Sequence, residues 1–374
     1  MSPPERTLRI VDSAAVTLDQ TRLPHARVQL ALDSADACAE AISAMRVRGA
    51  PLIGAVGAIG LALALRDDPS DAALAAQHER LAGTRPTAVN LRWALDRVRR
   101  AVRALPAAAR AERAWREAVA IVDEDVAIND AIGRHGAQLL APLAAANRPL
   151  QILTHCNAGR LATVGLGTAL APVYRLHAAG VPLHVWVDET RPRNQGAALT
   201  AWELADAGVP HTVIADNAGG LLMRQRRVDA AIVGCDRVAR NGDVANKVGT
   251  YLKALAARDC GVPFLVACPS PTIDFALADG DAIPIEARSP REVTHALGAL
   301  EADAASLRAG DDPSPRVVEV RLVPEGTGAF NPAFDVTPAA LVTALVTERG
   351  ACAATASGLR GLFADQWTVG QARP

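Results

Sequence analysis

From about residue 34 to 143 the apolar positions recur at helical spacing. Ala35 to Met45, Val89 to Leu105 and Ala109 to Ala141 each set alanine, leucine, valine or isoleucine three and four residues apart, with charged residues between them. No strand-like run interrupts this stretch, which predicts a small, mainly helical domain. Within it, Leu52 to Leu65 is the longest apolar run and ends at Arg66-Asp67-Asp68. It falls short of the roughly 20 residues that cross a bilayer and reads as a buried helix.

The pattern changes at Pro142 to Pro149, where Asn147-Arg148-Pro149 supplies turn chemistry. Short β-like runs follow at Leu150 to Thr154, Leu183 to Val187, Thr212 to Ala215, Ala230 to Val233 and Pro263 to Ala267, separated by helix-sized segments. Strands alternating with helices imply βαβ units and a parallel sheet covered on both faces. The fold class expected is therefore α/β: a helical domain over residues 1–145, then a Rossmann-like domain with a mostly parallel sheet over residues 146–350. Arg316 to Val323 reads as one more strand and Thr337 to Arg349 as a closing helix. Residues 351–374 have no clear period and are expected to form a partly flexible tail.

Composition narrows the function. Half of the 374 residues are apolar and 21% are charged, the balance of a packed protein. Thirty-nine basic against forty acidic residues give a net charge of -1, so neither nucleic acid nor a membrane surface is an expected partner. The six cysteines, at 38, 156, 235, 260, 268 and 352, have neither C-x-x-C nor zinc-finger spacing, which implies reduced thiols, no metal site and a cytoplasmic setting. The N-terminal MSPPERTLRI lacks a signal-peptide layout. A G-x-G-x-x-G fingerprint is missing too, and no cofactor is expected.

Candidate chemistry gathers at strand ends. The strand at Leu150 to Thr154 runs into His155-Cys156-Asn157-Ala158-Gly159, and the strand at Ala230 to Val233 runs into Gly234-Cys235-Asp236. In a parallel sheet both ends open onto one crevice. Cys156 reads either as a thiol activated by the amides of a helix N-terminus or as an inert core filler. Asp236 reads as a general acid whose pKa burial would raise, or as a helix N-cap. Asn246 and Lys247, placed at the start of a helix, suit a phosphate contact or ordinary capping. Arg48-Gly49-Ala50-Pro51 suits a phosphate clamp between two helices, with a plain turn as the simpler account. Asp188-Glu189-Thr190-Arg191-Pro192-Arg193-Asn194-Gln195-Gly196 and Asp216-Asn217 follow other strands and share the crevice side.

Seven runs then carry a family likeness: RGAPLIG (48–54), RPTAVNLRWA (85–94), THCNAGRLAT (154–163), DETRPRNQG (188–196), ADNAGG (215–220), VGCDRVARNGDVANKVGTY (233–251) and FNPAFDVTP (330–338). Over residues 5–350 the chain resembles the methylthioribose-1-phosphate isomerase family. Ribose-1,5-bisphosphate isomerase and the regulatory subunits of the translation-initiation guanine-nucleotide exchange factor are its wider relatives. The resemblance implies a homodimeric aldose-ketose isomerase of methionine salvage acting on a small sugar phosphate. It implies Cys156 and Asp236 as the catalytic pair, and Arg48, Gly49, Ala50, Arg85, Gln195, Asn246 and Lys247 as substrate-binding residues. Alternatives from the same fold are an isomerase of a related pentose 1-phosphate, such as 5-deoxyribose 1-phosphate, and a non-catalytic regulatory subunit. The chain departs from the family pattern at Arg160, Arg193, Asn194, Ala218 and Cys235 and in the loop 269–272.

Overall fold

In a computed structural model the chain is described over residues 6–300 and 316–367. Three short strands, β1 (Arg9–Val11), β2 (Ala14–Leu18) and β3 (Gln29–Leu32), form an antiparallel sheet that precedes the helices. The helices are α1 (Ala35–Ser43), α2 (Ala50–Asp67), α3 (Asp71–Ala82), α4 (Val89–Val102) and α5 (Ala107–Leu140). Helices α1, α4 and α5 match the three periodic segments to within a few residues, and α2 contains the apolar run Leu52 to Leu65. Ser34 and Ser70 start α1 and α3 by accepting amide hydrogen bonds from Ala37 and Ala73, each at 3.2 Å.

The apolar α2 lies at the centre of this bundle and packs against α1, α3, α4 and α5. Every residue from Leu52 to Leu65 is buried, which is why its sequence shows no polar face. Among the described residues it is the one helix long and apolar enough to cross a membrane, and 83% of it is covered by the protein itself. Helix α5 has two environments. Ala114, Ala118, Ile121 and Val122 belong to the helical core, whereas Ile132 and Leu140 join the core on one face of the following sheet. The 142–149 turn after this shared helix leads directly into the main sheet.

The main sheet takes β4 (Leu150–Thr154), β5 (Leu183–Asp188), β6 (His211–Ile214), β7 (Ala230–Val233), β10 (Phe264–Ala267), β15 (Ala344–Thr347) and β16 (Gly350–Cys352) in the order β16-β15-β10-β7-β4-β5-β6. All neighbours are parallel except β15 and β16. Its period-2 pattern feeds two cores: Ala231 and Val233 with Phe264 and Val266 on one face, Ala230 and Ile232 with Leu265 and Ala267 on the other. The chain winds outward from β4 through β5 to β6, then returns to β7 on β4's other side. The order therefore reverses between β4 and β7, and a crevice opens beyond their carboxyl ends.

A second, smaller sheet, β11-β8-β9-β14, leaves that crevice: β8 (Arg237–Ala239), β9 (Val244–Lys247), β11 (Ile273–Asp274) and β14 (Phe334–Thr337). β12 (His295–Ala299) and β13 (Val317–Arg321) form a separate antiparallel pair, and β13 matches the strand read at 316–323. The crossovers of the main sheet include α6 (Leu170–Ala178), α7 (Ala201–Asp206), α8 (Ala218–Arg224) and α9 (Thr250–Cys260).

Two expectations fail here. The closing helix at Thr337 to Arg349 is instead a short 3-10 turn and the strand β15, because residues 344–346 find a parallel partner in Leu265 to Ala267. Sheet pairing overrides the local helical spacing. The expected tail is also ordered through residue 367. Gly350–Cys352 pairs with β15, and a helix at Ala356–Leu362, capped by Thr355, buries Leu359 and Phe363 completely. Residues 368–374 lie outside the described residues.

Candidate functional site

Beyond β4, Cys156 takes a left-handed backbone conformation, φ +66°, which a residue with a side chain seldom adopts. The neighbours that hold it are specific. Its amide donates to Thr190 Oγ1 at 2.8 Å, and its carbonyl accepts from Thr200 Oγ1 at 2.7 Å. Thr190 is itself fixed, with its amide donating to Asp216 Oδ1 at 2.7 Å. The polar loops after β5 and β6 thus serve as the frame of the Cys156 loop, and Cys156 is 8% exposed. Its sequence neighbour His155 is buried, with Nδ1 2.9 Å from Asp188 Oδ2 and Nε2 2.9 Å from the Val248 carbonyl.

The expected helix directly after Cys156 is not there. Arg160–Ala162 is one 3-10 turn and α6 starts only at Leu170, because Gly159 bridges back to Gly167. The long helix whose N-terminus does reach the site is α2, from the other end of the chain. Its N-cap Gly49 has φ +92°, and a Cβ there would collide with Ala162. Glycine therefore allows the 48–50 turn to sit on the Cys156 loop. Arg48 closes the contact, donating to Asn157 Oδ1 at 2.7 Å and to the Asn157 carbonyl at 2.8 Å. This is more than a plain turn.

Beyond β7, Gly234 lies where a Cβ would come within 2.6 Å of Ala158 Cβ, so the two strand-end loops touch. Asp236 is half-buried and leads into β8 rather than a helix, which removes the N-cap reading. Asn246 and Lys247 are also not at a helix start. They end β9, and α9 begins at Thr250 after a left-handed Gly249. The misreading has a physical basis, because an Asn-Lys pair before a Gly-Thr start looks like capping when strand pairing is invisible.

The electrostatics tie these groups together. Burial pushes the Asp236 carboxyl up from its ordinary value, and Lys247, Arg48 and Arg85 pull the other way. Burial lowers the Lys247 ammonium, opposed by Cys156 and Asp236. Lys247 Nζ donates to the Ala333 carbonyl at 2.7 Å and lies 4.8 Å from the centre of the Phe334 ring. Asn246 Nδ2 donates to Thr250 Oγ1 at 3.0 Å. Arg85 pairs with Glu286 at 2.9 Å, and its buried Nε has no hydrogen-bond partner; the same holds for Oε1 of the buried Gln195. A cavity of about 540 Å3 opens on the Arg48 and Gln195 side, with Leu23, Met45 and Leu199 in its wall.

Sequence reasoning missed Glu286, Arg288 and Glu203. Arg288, 3.3 Å from Glu286, adds a cation near Lys247, and its segment lacked any strand-end pattern to mark it. Among the described residues, His155, Asp188 and Asp216 form the one grouping of potential metal ligands. The Lys253 ammonium, 3.2 Å from Asp188 Oδ2, already supplies a cation there.

The fold and this crevice define a Rossmann-type protein with an acid, a thiol and several cations at the topological switch point. The family described as "Initiation factor 2 subunit family" matches residues 46–354. A methylthioribose-1-phosphate isomerase from Acidiphilium cryptum is 59% identical over 350 residues, 93% of this chain and 92% of that protein. The crystal structure of 5-methylthioribose 1-phosphate isomerase from Pyrococcus horikoshii superposes with a TM-score of 0.81 at 39% identity, covering 97% of this chain and 96% of that one. The translation initiation factor eIF-2B subunit delta from A. fulgidus gives 0.77 at 35% identity, covering 96% and 99%. The chain belongs to the initiation factor 2 subunit family, on its methylthioribose-1-phosphate isomerase branch.

Proposed function

We propose that this site isomerises 5-methylthioribose 1-phosphate to 5-methylthioribulose 1-phosphate, a step of methionine salvage, with Cys156 and Asp236 as its catalytic groups. The substrate's anomeric oxygen carries phosphate, so simple ring opening cannot release a free aldehyde. The ring oxygen must be protonated for the ring to open. Asp236 suits that donor, because burial favours its neutral, proton-bearing form. The hydrogen at C2 then moves to C1. Cys156 serves that transfer either as a base toward an enol or by stabilising charge during a hydride shift.

The phosphate is held, in this reading, by Arg48, the amides at Gly49 and Ala50, Arg85 and Lys247, with Gln195 and Asn246 on the sugar hydroxyls. Gly49 and Ala50 sit at the positive end of α2, where amides and dipole favour an anion. The apolar wall of the cavity at Leu23, Met45 and Leu199 suits a methylthio group. The observation that carries the proposal is the raised Asp236 carboxyl set beside Lys247 and Arg48 at the strand-order reversal.

Purified protein given 5-methylthioribose 1-phosphate should accumulate the ketose phosphate, followed by phosphorus and proton NMR. Well-folded protein that leaves this compound unchanged while turning over 5-deoxyribose 1-phosphate would displace the assignment. A homodimer and a cytoplasmic location belong to the same proposal, and sedimentation equilibrium checks the first.

A further inference from the structure

Glu203 is completely buried on α7, and Asn157 is 3% exposed, so neither side chain is available to a ligand. They are nevertheless linked to a residue that is. Asn157 Nδ2 donates to Glu203 Oε1 and, at 3.1 Å, to Thr200 Oγ1. On its other side Asn157 accepts both Arg48 hydrogen bonds, at 2.7 and 2.8 Å. Arg48 then borders the cavity.

The chemistry of this chain of contacts has one solution. A carboxylate accepts only and a guanidinium donates only, so the carboxamide between them must point its nitrogen at Glu203 and its oxygen at Arg48. Turned over, it would set acceptor against acceptor and donor against donor. Thr200, three residues before Glu203, holds the Cys156 carbonyl as well, so one short segment braces both the thiol's backbone and the carboxamide. We propose that Glu203 is a positioning residue for the phosphate clamp, acting through Asn157 to aim the Arg48 guanidinium.

A simple buried ion pair does not account for Glu203. The nearest approach of Arg160's guanidinium is 3.9 Å, and that guanidinium is closer to Asp206. The close donors to Glu203 are the Asn157 carboxamide and, at 2.7 Å, the Arg160 amide, both in the loop that carries Cys156. The charged and titratable groups facing it are Arg160, Tyr174 and, beyond Arg160, Asp206. Burial pushes its carboxyl up to about 7 against the pull of Arg160, Asn157 and Tyr174. Its charge is therefore lost as the pH falls through neutrality, and its hold on Asn157 weakens from a charge-assisted bond to a neutral one.

The inference rests on the reading of Arg48 as a phosphate ligand, and the experiment separates the two. KM and kcat for 5-methylthioribose 1-phosphate are measured for Glu203→Gln, Asn157→Ala, Arg48→Ala and the double variant Glu203→Gln/Arg48→Ala. Glu203→Gln and Asn157→Ala should each raise KM about tenfold, with a smaller change in kcat. Arg48→Ala should raise KM at least as far, and adding Glu203→Gln should raise it no further, since the relay then has nothing to aim. Wild-type KM should also rise more steeply between pH 8 and pH 6 than that of Glu203→Gln. The phosphate's own ionisation near pH 6 affects both enzymes alike. An unchanged KM in Glu203→Gln or Asn157→Ala, beside a raised one in Arg48→Ala, overturns the relay. An unchanged KM in Arg48→Ala overturns the clamp, and the relay with it. If Glu203→Gln fails to fold, Asn157→Ala carries the test by itself.

Discussion

The amide of Asp236 donates to the carbonyl of Ala245 at 2.9 Å, and this bond sets the acid beside Asn246 and Lys247. It extends the β8–β9 pairing, in which Arg237 faces Ala245, by one step toward the crevice. Eleven residues apart in sequence, the acid and the ammonium become neighbours through a hairpin rather than a helix turn. Each then shifts the other: Lys247 restrains the rise of the Asp236 carboxyl, and Asp236 restrains the fall of the Lys247 ammonium.

If Asp236 gives the ring oxygen its proton, Asp236→Asn should keep the shape and the substrate affinity but lose the donor. Turnover should drop by about 10² to 10⁴, the range of general acid catalysis. Steady-state kinetics beside calorimetric binding checks this; near-normal kcat would remove the acid role.

Cys156 should stand apart from the other thiols. Cys156→Ser should lose most of its turnover, and alkylation should inactivate the wild type unless substrate is present. Cys235→Ala should remain active, because Cys235 packs against the core of the neighbouring strands. Full activity in Cys156→Ser would leave that thiol a packing residue.

The Gly49 turn should tolerate no side chain. Gly49→Ala would place a Cβ on Ala162 in a backbone conformation, φ +92°, that alanine resists. Stability should fall by at least about 1 kcal/mol, read as a lower Tm, and substrate affinity should fall with it as Arg48 is displaced. A Tm and Kd equal to wild type would place the contact elsewhere.

Asp125 on α5 gives stability a pH dependence. Burial pushes its carboxyl up to about 7, against the pull of the Val164 amide, which donates to it at 2.7 Å, and of Asn129. The folded state therefore keeps a proton that the unfolded chain releases near pH 4, and stability falls as pH rises through 7. Asp125→Asn cannot ionise, so relative to wild type it should be more stable at pH 8 than at pH 5, by up to a few kcal/mol. Tm differences that do not change between the two pH values would contradict this.

What the sequence determined by itself is local. Helical spacing marked α1, α4 and α5, and the buried strands of the main sheet were legible because they lie covered on both faces and read as short apolar runs. The motifs marked Cys156, Asp236, Arg48 and Lys247 as candidates, the first two because each follows an apolar strand-like run and the last two because each sits in a polar, glycine-containing stretch. Tertiary structure decided what each candidate faces. Lys247 lies on a strand because β14 pairs with it from 87 residues away, Phe334 opposite Lys247, and no local spacing records that partner. The strand at 344–347 exists because β10 offers it an edge. Arg48 reaches Asn157 across 109 positions, and Glu203 reaches the same side chain from a third segment. A buried carboxylate, a carboxamide and a guanidinium can be recognised in any sequence, but their order, acceptor to donor and acceptor to donor again, is fixed only once packing has excluded water and left each polar group a single partner.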